Sequence, residues 1–280
     1  MSGLKDKLNS FFDVFASDSR SYDFNYVIYE GESAFHHISI REENGVRTMY
    51  FGPCGEEAET AINISNPEQA VFEYPGMMLA ALPLLPEKKR ILMIGLGGGY
   101  LPALFQKHLP QYSLTVVELD LLVAELAQTY FGFSPTGNVE LVISDGRDFI
   151  ENSPEASLDQ IWLDAFSGDY VPPALSGTDF LELCRSRLVP GGLLVQNLHQ
   201  SRPAVFEVQL RNTRLIFDNF IALDGVRCGN AIVISQAPGG NEEWLDWSKD
   251  RLVALAKQFG PRVGPYDLSK EMKKFKLFNV

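Results

Sequence analysis

The chain has 280 residues, of which 45% are apolar and 21% charged, a composition typical of a folded globular protein. Its formal net charge is −12, which disfavours binding to nucleic acid or anionic lipid and favours cationic partners, although plain solubility would explain the acidity equally well. Cys54, Cys184 and Cys228 lie far apart with no C-x-x-C spacing, so the sequence predicts neither a zinc site nor a disulfide framework.

The amino-terminal residues predict no targeting segment. Charged residues such as Lys5 and Asp13 interrupt the apolar residues of Met1–Arg20, and no later apolar run is long enough to span a bilayer. The cysteine usage fits a reducing compartment. We therefore expect a cytoplasmic protein.

Residues 1–75 predict a small antiparallel β domain. Short β-type runs alternate with turn residues, and Glu43-Asn44-Gly45 is a hairpin signal. Aromatic residues at the start of this region (Tyr22, Phe24, Tyr26 and Tyr29) are interpreted as sheet core or dimer surface, and contact with a cationic amine is a less favoured use. The predicted strands are Asn25–Tyr29, His36–Arg41 and Arg47–Phe51.

Residues 76–280 predict an α/β domain, because apolar strands alternate with amphipathic helices as in a parallel sheet covered on both faces. The predicted strands are Ile91–Ile94, Leu114–Val117, Val139–Ile143, Gln160–Leu163, Leu193–Gln196, Phe220–Ala222 and Ala231–Ser235. The predicted helices are Met77–Leu85, Leu101–Lys107, Leu121–Tyr130, Thr178–Leu188, Val205–Asp218 and Trp244–Gln258. Right-handed crossovers should bring the carboxyl ends of the first strands to one edge, where such sheets bind ligands.

A glycine-rich turn follows the first strand of this domain. Gly95-Leu96-Gly97-Gly98-Gly99-Tyr100 opens a helix and lets a ligand approach the backbone closely. Its spacing departs from the G-x-G-x-x-G dinucleotide fingerprint, because Tyr100 stands at the third glycine position. A tight structural turn is the alternative interpretation.

Acidic residues follow the next three strands. Glu118 ends the second strand about twenty residues beyond the glycines, where a carboxylate can accept from ribose hydroxyls. Asp145, followed by Gly146, can accept from an adenine amino group, and Asp164 follows the fourth strand. Asp120 is interpreted as a helix N-cap. Half-buried carboxylates need partners, so three at successive strand ends predict a nucleoside site.

Several segments recur, in order and spacing, in one known family. They are Ile91–Tyr100, Val116–Asp120, Ser144–Phe149, Ile161–Phe166 and Leu188–Asn197, with Ser33–Ile40 and Tyr74 upstream. Over about residues 25–240 the chain thus resembles spermidine synthases and their spermidine-synthase-like methyltransferase relatives. The resemblance implies a Rossmann-like, seven-stranded domain that binds an S-adenosyl donor, an N-terminal β domain and a homodimer.

The chain departs from the family pattern at positions that bear on the donor. The family motif G-G-G-D-G-G has an Asp that receives the ammonium of decarboxylated S-adenosylmethionine, and Gly98 stands there. His36 replaces a strand Gln, and Pro75 and Gly76 replace the His and Glu that follow the family tyrosine, here Tyr74. Loss of the carboxylate at position 98 favours a donor that keeps its own carboxylate, S-adenosylmethionine.

The resemblance also implies roles for individual residues. The donor would contact Gly95, Gly97, Gly98, Gly99, Glu118, Asp145, Gly146 and Asp164; the acceptor would contact His36, Tyr74, Ser167 and Tyr170; and Asp164, Asp169 and Tyr74 would act in catalysis. The family gate loop corresponds to Asp164–Pro173, whose second Asp becomes Ser167 or shifts to Asp169. Ser167–Pro173 could form a lid, with a surface loop that never closes as the alternative.

These observations leave three functions open. The first is aminopropyl transfer from decarboxylated S-adenosylmethionine to a small-molecule amine, in which Asp164 would take the amine's proton or orient the free amine. The second is methyl transfer from S-adenosylmethionine, and the third is a nucleoside-binding regulator without catalysis. No metal is expected, because His36 and His37 are adjacent on a strand and face opposite sides.

Overall fold

The computed structural model describes residues 26–52, 57–85, 87, 89–166, 171–225, 229–239, 248–260, 262–274 and 276–278. The amino-terminal part is an antiparallel sheet of four strands in the order β1-β2-β3-β4. A turn with positive φ at Asn44 (51°) and Gly45 (76°) joins β2 to β3, which confirms the predicted hairpin. The strands are β1 (Tyr26–Glu32), β2 (His37–Glu43), β3 (Val46–Phe51) and β4 (Glu57–Asn63).

The second sheet has eight strands in the order β12-β10-β11-β9-β8-β5-β6-β7. Strands β5 to β9 pair in parallel, whereas β9, β11, β10 and β12 pair antiparallel. All seven predicted strands are present, and β12 joins the sheet edge in addition. The strands are β5 (Arg90–Ile94), β6 (Ser113–Glu118), β7 (Val139–Ile143), β8 (Leu158–Leu163), β9 (Leu188–His199), β10 (Asn219–Asp224), β11 (Asn230–Gln236) and β12 (Lys276–Phe278).

Most of the predicted helices are present, with three differences. The predicted helix Met77–Leu85 is instead an α-helix that ends at Leu79 and a 3-10 turn over Leu82–Leu84. The helices Gly146–Asn152 and Leu268–Lys274 were not predicted. Part of the predicted helix Trp244–Gln258 lies outside the described residues. The helices are α1 (Tyr74–Leu79), α2 (Tyr100–His108), α3 (Leu121–Phe131), α4 (Gly146–Asn152), α5 (Thr178–Arg187), α6 (Pro203–Ile216), α7 (Lys249–Phe259) and α8 (Leu268–Lys274).

Apolar side chains bury both faces of the large sheet. Trp162 packs edge-on against Phe105 of α2 on one face, with ring centroids 5.4 Å apart, and Phe180 of α5 is buried on the other face. A third cluster joins the small sheet to α3, through residues such as Ile38 and Val123. This cluster fixes the small sheet beside the glycine-rich turn, because α3 starts just after β6, the strand next to β5.

Within the part of the chain that the structure describes, no helix is both long enough and apolar enough to cross a bilayer.

Candidate active site

The glycine-rich turn requires glycine at several of its positions. Gly95 has φ 98°, and a Cβ there would lie 2.1 Å from the backbone oxygen of Asp164. Gly97 and Gly99 have φ values of 54° and 75°. The turn therefore lies directly against the end of β8, which brings Asp164 next to the backbone that was predicted to hold the donor.

Glu118 ties this turn to the end of β6. Its Oε2 accepts from the backbone N–H of Leu96 at 2.9 Å, and its Oε1 accepts from the backbone N–H of Asp120 at 2.9 Å. The side chain is buried, and burial raises the pKa of its carboxyl while the backbone hydrogen bonds oppose that rise. Glu118 thus shapes the turn, and a ribose contact would use its remaining lone pairs.

Two further acidic residues cap helices. Asp120 accepts from the backbone N–H of Leu122 at 2.9 Å at the start of α3, as the sequence interpretation expected. Asp145 is exposed, and its Oδ1 accepts from the backbone N–H groups of Arg147 and Asp148 at 2.7 and 3.1 Å. The adenine role of Asp145 stays a prediction. Gly146 lets α4 begin against β5, because a Cβ there would lie 2.5 Å from the side chain of Ile94.

Asp164 follows β8 and is the acidic group whose surroundings best suit proton transfer. Its Oδ1 accepts from Nδ2 of Asn197 at 2.8 Å, and the hydroxyl of Tyr74 also donates to it. Burial raises the pKa of the Asp164 carboxyl to about 6, against the opposing effect of these two hydrogen bonds. A carboxylate that titrates near neutral pH can accept a proton from a substrate.

His36 immediately precedes β2, which begins at His37, so the prediction that both histidines lie on one strand is wrong by one residue. The two rings have different partners. The ring of His36 stacks on Phe51 with centroids 4.2 Å apart. Burial lowers the pKa of His36, and the nearby carboxylate of Asp120 opposes this change. His37 turns away, with Nδ1 3.1 Å from the carbonyl oxygen of Gly52. His36 is therefore on the side of the small sheet that faces the end of β6.

Gly98 packs against the small sheet. A Cβ at this position would lie 2.7 Å from Cγ2 of Thr60, 2.9 Å from its Oγ1 and 3.0 Å from the ring of Phe131. Thr60 lies on β4 and is buried. The structure therefore adds a reason for glycine that the sequence did not reveal: β4 occupies the space that a side chain at position 98 would need.

A small pocket lies between β4 and the first turns of α1 and α2. Its lining includes Thr60, Tyr74 and Tyr100. The hydroxyl of Tyr100 donates to the carbonyl oxygen of Glu68 at 2.6 Å and accepts from the hydroxyl of Tyr266 at 3.2 Å, and burial raises the pKa of Tyr100 to about 12. Tyr100 is therefore neutral at ordinary pH, and it lines the pocket together with Tyr74.

Tyr266 also explains Gly76. A Cβ at Gly76 would lie 2.8 Å from Cε1 of the Tyr266 ring, so the ring fills the space beside α1. Thr60, Asn197 and Tyr266 were all missed as site residues by the sequence interpretation. Asn197 alone had a signal, since it closes the family-like segment Leu188–Asn197.

Most of the predicted lid falls outside the described residues. Ser167, Asp169 and Tyr170, together with the hinge position Gly168, lie outside the described residues, as do Tyr22, Phe24, Cys54 and Cys228. The lid and its residues stay predictions. Among the residues that the structure covers, no three or more His, Cys, Asp or Glu side chains form a group that could hold a metal ion.

Comparison with known proteins identifies the family. No protein-family model matches the chain. A polyamine aminopropyltransferase of Chromobacterium violaceum is 30% identical over 230 residues, which cover 82% of this chain and 87% of that protein. The solved spermidine synthase of Thermotoga maritima superposes with a TM-score of 0.71 at 20% identity, over 90% of this chain and 85% of that one.

A methyltransferase is similar as well. Human methyltransferase-like protein 13, solved in complex with SAH, superposes with a TM-score of 0.60 at 26% identity, over 72% of this chain and 93% of that one. The fold, the glycine-rich turn and the strand-end carboxylates define an α/β transferase of the spermidine synthase and methyltransferase class. The chain belongs to the polyamine aminopropyltransferase family, a family of transferase enzymes.

Proposed function

We propose that this protein transfers an aminopropyl group from decarboxylated S-adenosylmethionine to a small aliphatic amine. The observation that carries the proposal is the setting of Asp164, whose carboxyl has a pKa of about 6 and accepts from Asn197 and Tyr74. Its backbone lies against Gly95, so the proton acceptor and the donor-binding turn are immediate neighbours. Family membership supports the same reaction.

The reaction needs an amine that has lost its proton. An aliphatic amine is protonated at neutral pH and cannot attack carbon until its nitrogen lone pair is free. Asp164 takes that proton, the nitrogen then bonds to the propyl carbon next to sulfur, and the C–S bond breaks so that neutral methylthioadenosine leaves. The net charge of −12 favours the approach of a cationic acceptor.

The nucleoside is held along the edge formed by the ends of β5, β6 and β7. Glu118 accepts from the ribose hydroxyls, Asp145 accepts from the adenine amino group beside Gly146, and Gly95, Gly97 and Gly99 let the donor approach the backbone. His36, Tyr74, Ser167 and Tyr170 contact the acceptor, and Asp169 assists Asp164. Support for the nucleoside part comes from the glycine-rich turn, Glu118 and Asp145, which lie at the carboxyl ends of the neighbouring parallel strands β5, β6 and β7.

Methyl transfer from S-adenosylmethionine is the second candidate, and Gly98 is the observation that favours it. This position carries no carboxylate, and Thr60 and Phe131 occupy the space that one would need. A donor that brings its own carboxylate would meet no like charge there. Asp164 could deprotonate an amine acceptor for either reaction.

Product analysis separates the two candidates. Purified protein would be incubated with each donor and a panel of aliphatic diamines, and the nucleoside product would be quantified by liquid chromatography. We expect methylthioadenosine from the decarboxylated donor, and its loss by about a hundredfold or more in Asp164→Asn. Asp148→Asn removes the same charge from an exposed position on α4 and should stay active. S-adenosylhomocysteine as the main nucleoside product would establish methyl transfer instead.

Assembly and location complete the proposal. The protein forms a homodimer through the small sheet, where β1 is an edge strand and Tyr26 and Val27 are 52% and 55% exposed. It works in the cytoplasm, binds neither nucleic acid nor membrane, and uses no metal. Its domains are residues 1–75 and residues 76–280.

A further inference from the structure

Three polar side chains form a line that ends at Asp164. Nδ2 of Asn230 donates to Oδ1 of Asn197 at 2.9 Å, and Nδ2 of Asn197 donates to Oδ1 of Asp164 at 2.8 Å. Asn197 is 1% exposed, so water cannot replace these partners easily. The line therefore connects the proposed proton acceptor to a residue on β11.

Strand register explains why these side chains meet. Strands β9 and β11 pair antiparallel, with Asn197 opposite Ile232 and His199 opposite Asn230. Residues two apart on a strand share a face, so Asn230 is the diagonal neighbour of Asn197. The end of β8 lies on the other side of β9, which brings Asp164 within reach of the same amide.

The direction of the central amide follows from its two neighbours. An asparagine side chain has a donor end and an acceptor end, and a half-turn of the amide exchanges them. An ionised Asp164 can only accept, and Asn230 donates its Nδ2 to the carbonyl oxygen of Asn197, so both neighbours favour the same orientation of this amide. The NH₂ group of Asn197 is then left facing Asp164, where it stabilises the ionised carboxylate.

We propose that Asn230 is a positioning residue, which sets the orientation of the Asn197 amide so that its NH₂ group faces Asp164 and keeps that side chain ready to accept a proton. The proposal rests on the proposed function for the catalytic role of Asp164. The hydrogen-bond geometry itself is independent of that role, so the two can be tested separately.

The groups around Asp164 are few enough to interpret its titration. In the described parts of the chain, the titratable side chain that contacts Asp164 is Tyr74 of α1. Burial raises the pKa of Asp164, the hydrogen bonds from Asn197 and Tyr74 lower it, and no charged group contributes. A change made at Asn230 therefore acts on Asp164 through Asn197 or through a new charge. Variants with and without a new charge separate these two routes.

The test is a ¹³C NMR titration of the Asp164 carboxyl in the full-length protein without donor, with the resonance assigned by its absence in Asp164→Asn. Asn230→Ala removes the donor to Asn197 and adds no charge. Asn230→Asp presents an acceptor to Asn197, which should turn its amide and direct its carbonyl oxygen at Asp164. Asn219→Asp, at the opposite end of the β10–β11 pair, adds the same charge as a control.

We expect the titration midpoint of Asp164 to rise in Asn230→Ala and to rise further, by about one pH unit, in Asn230→Asp, while Asn219→Asp leaves it unchanged. Unchanged midpoints in both Asn230 variants would overturn the proposal. A rise in Asn230→Asp alone would also overturn it, because charge and not amide orientation would then be the cause.

Enzyme kinetics then link the network to the reaction. For whichever nucleoside product the enzyme forms, the acid limb of the kcat/KM profile should move to higher pH in the Asn230 variants, in step with the NMR midpoint. If the titration midpoint of Asp164 shifts but the acid limb of the kcat/KM profile does not, the result would support the hydrogen-bond network and refute the role of Asp164 as proton acceptor. An inactive enzyme with a moved midpoint would refute the proposed function alone.

Discussion

The residue at position 98 should decide which donor the protein prefers, and the structure determines how to test it. The family resemblance implies that this position faces the amino acid end of the donor. Gly98→Asp alone would force a Cβ to 2.7 Å from Cγ2 of Thr60, so we expect it to lower the free energy of unfolding by about 1–3 kcal/mol. Thr60→Ala removes both threonine atoms that the new side chain would touch, and the double variant should recover part of this loss.

Donor binding is then compared between Thr60→Ala and the double variant Thr60→Ala/Gly98→Asp. A charge-assisted contact with the donor ammonium contributes about 1.5–3 kcal/mol, so the decarboxylated donor should bind about ten- to hundredfold more tightly to the double variant. S-adenosylmethionine should bind more weakly, because its carboxylate would meet a second carboxylate in a poorly screened pocket. Isothermal titration calorimetry measures both affinities.

A matched control keeps the added charge and moves it away. Gln111 is exposed and precedes β6, at the sheet edge opposite the glycine-rich turn, so Thr60→Ala/Gln111→Asp should bind both donors as Thr60→Ala does. The reasoning is refuted if both donors shift in the same direction in the Gly98 variant, or if neither shifts. Position 98 would then not face the amino acid end of the donor.

Three further predictions concern stability and assembly. Glu118→Gln should lower the free energy of unfolding by about 1–3 kcal/mol in chemical denaturation, because the NH₂ group of Gln would face the backbone N–H of Leu96 or Asp120. The matched change at an exposed position, Glu140→Gln, should alter this free energy little, and equal effects of the two substitutions would contradict the assigned contacts. The pKa of Asp164 is about 6 in the folded protein and 3.8 in the unfolded chain, so the folded state binds the proton more tightly. The free energy of unfolding should therefore fall by about 2 kcal/mol as pH rises from about 4 to about 6, and Asp164→Asn should abolish this pH dependence. Light scattering at micromolar concentration should give a dimer, and a monomer would count against the proposed interface.

Much of the large sheet could be predicted because its strands are short, strongly apolar and separated by amphipathic helices. Strand β4 was missed, since its sequence Glu57–Asn63 includes two glutamates and little apolar alternation. Helix α4 was missed because it has seven residues and its capping residue, Asp145, was interpreted only as a ligand. The antiparallel pairing of β10 with β11 agrees with the absence of a predicted helix between them.

The positions of Glu118, Asp145 and Asp164 at strand ends were predictable because each follows or ends a strongly apolar strand. The neighbours that tune those residues were not, since they come from distant parts of the chain. Thr60 lies on another sheet and Tyr266 follows α7. Asn230 is connected to Asp164 through Asn197, which lies nearby because of the register of β9 and β11. No local pattern marks such residues before the fold is known.

The central claim is that the propyl carbon of the donor ends on the acceptor nitrogen. The most direct measurement is mass spectrometry of the amine after reaction with decarboxylated S-adenosylmethionine that carries ¹³C in its aminopropyl group. We predict an amine heavier by one labelled aminopropyl group, formed in equal amount to methylthioadenosine. An unchanged amine, together with methylated amine when S-adenosylmethionine is supplied, would contradict the claim.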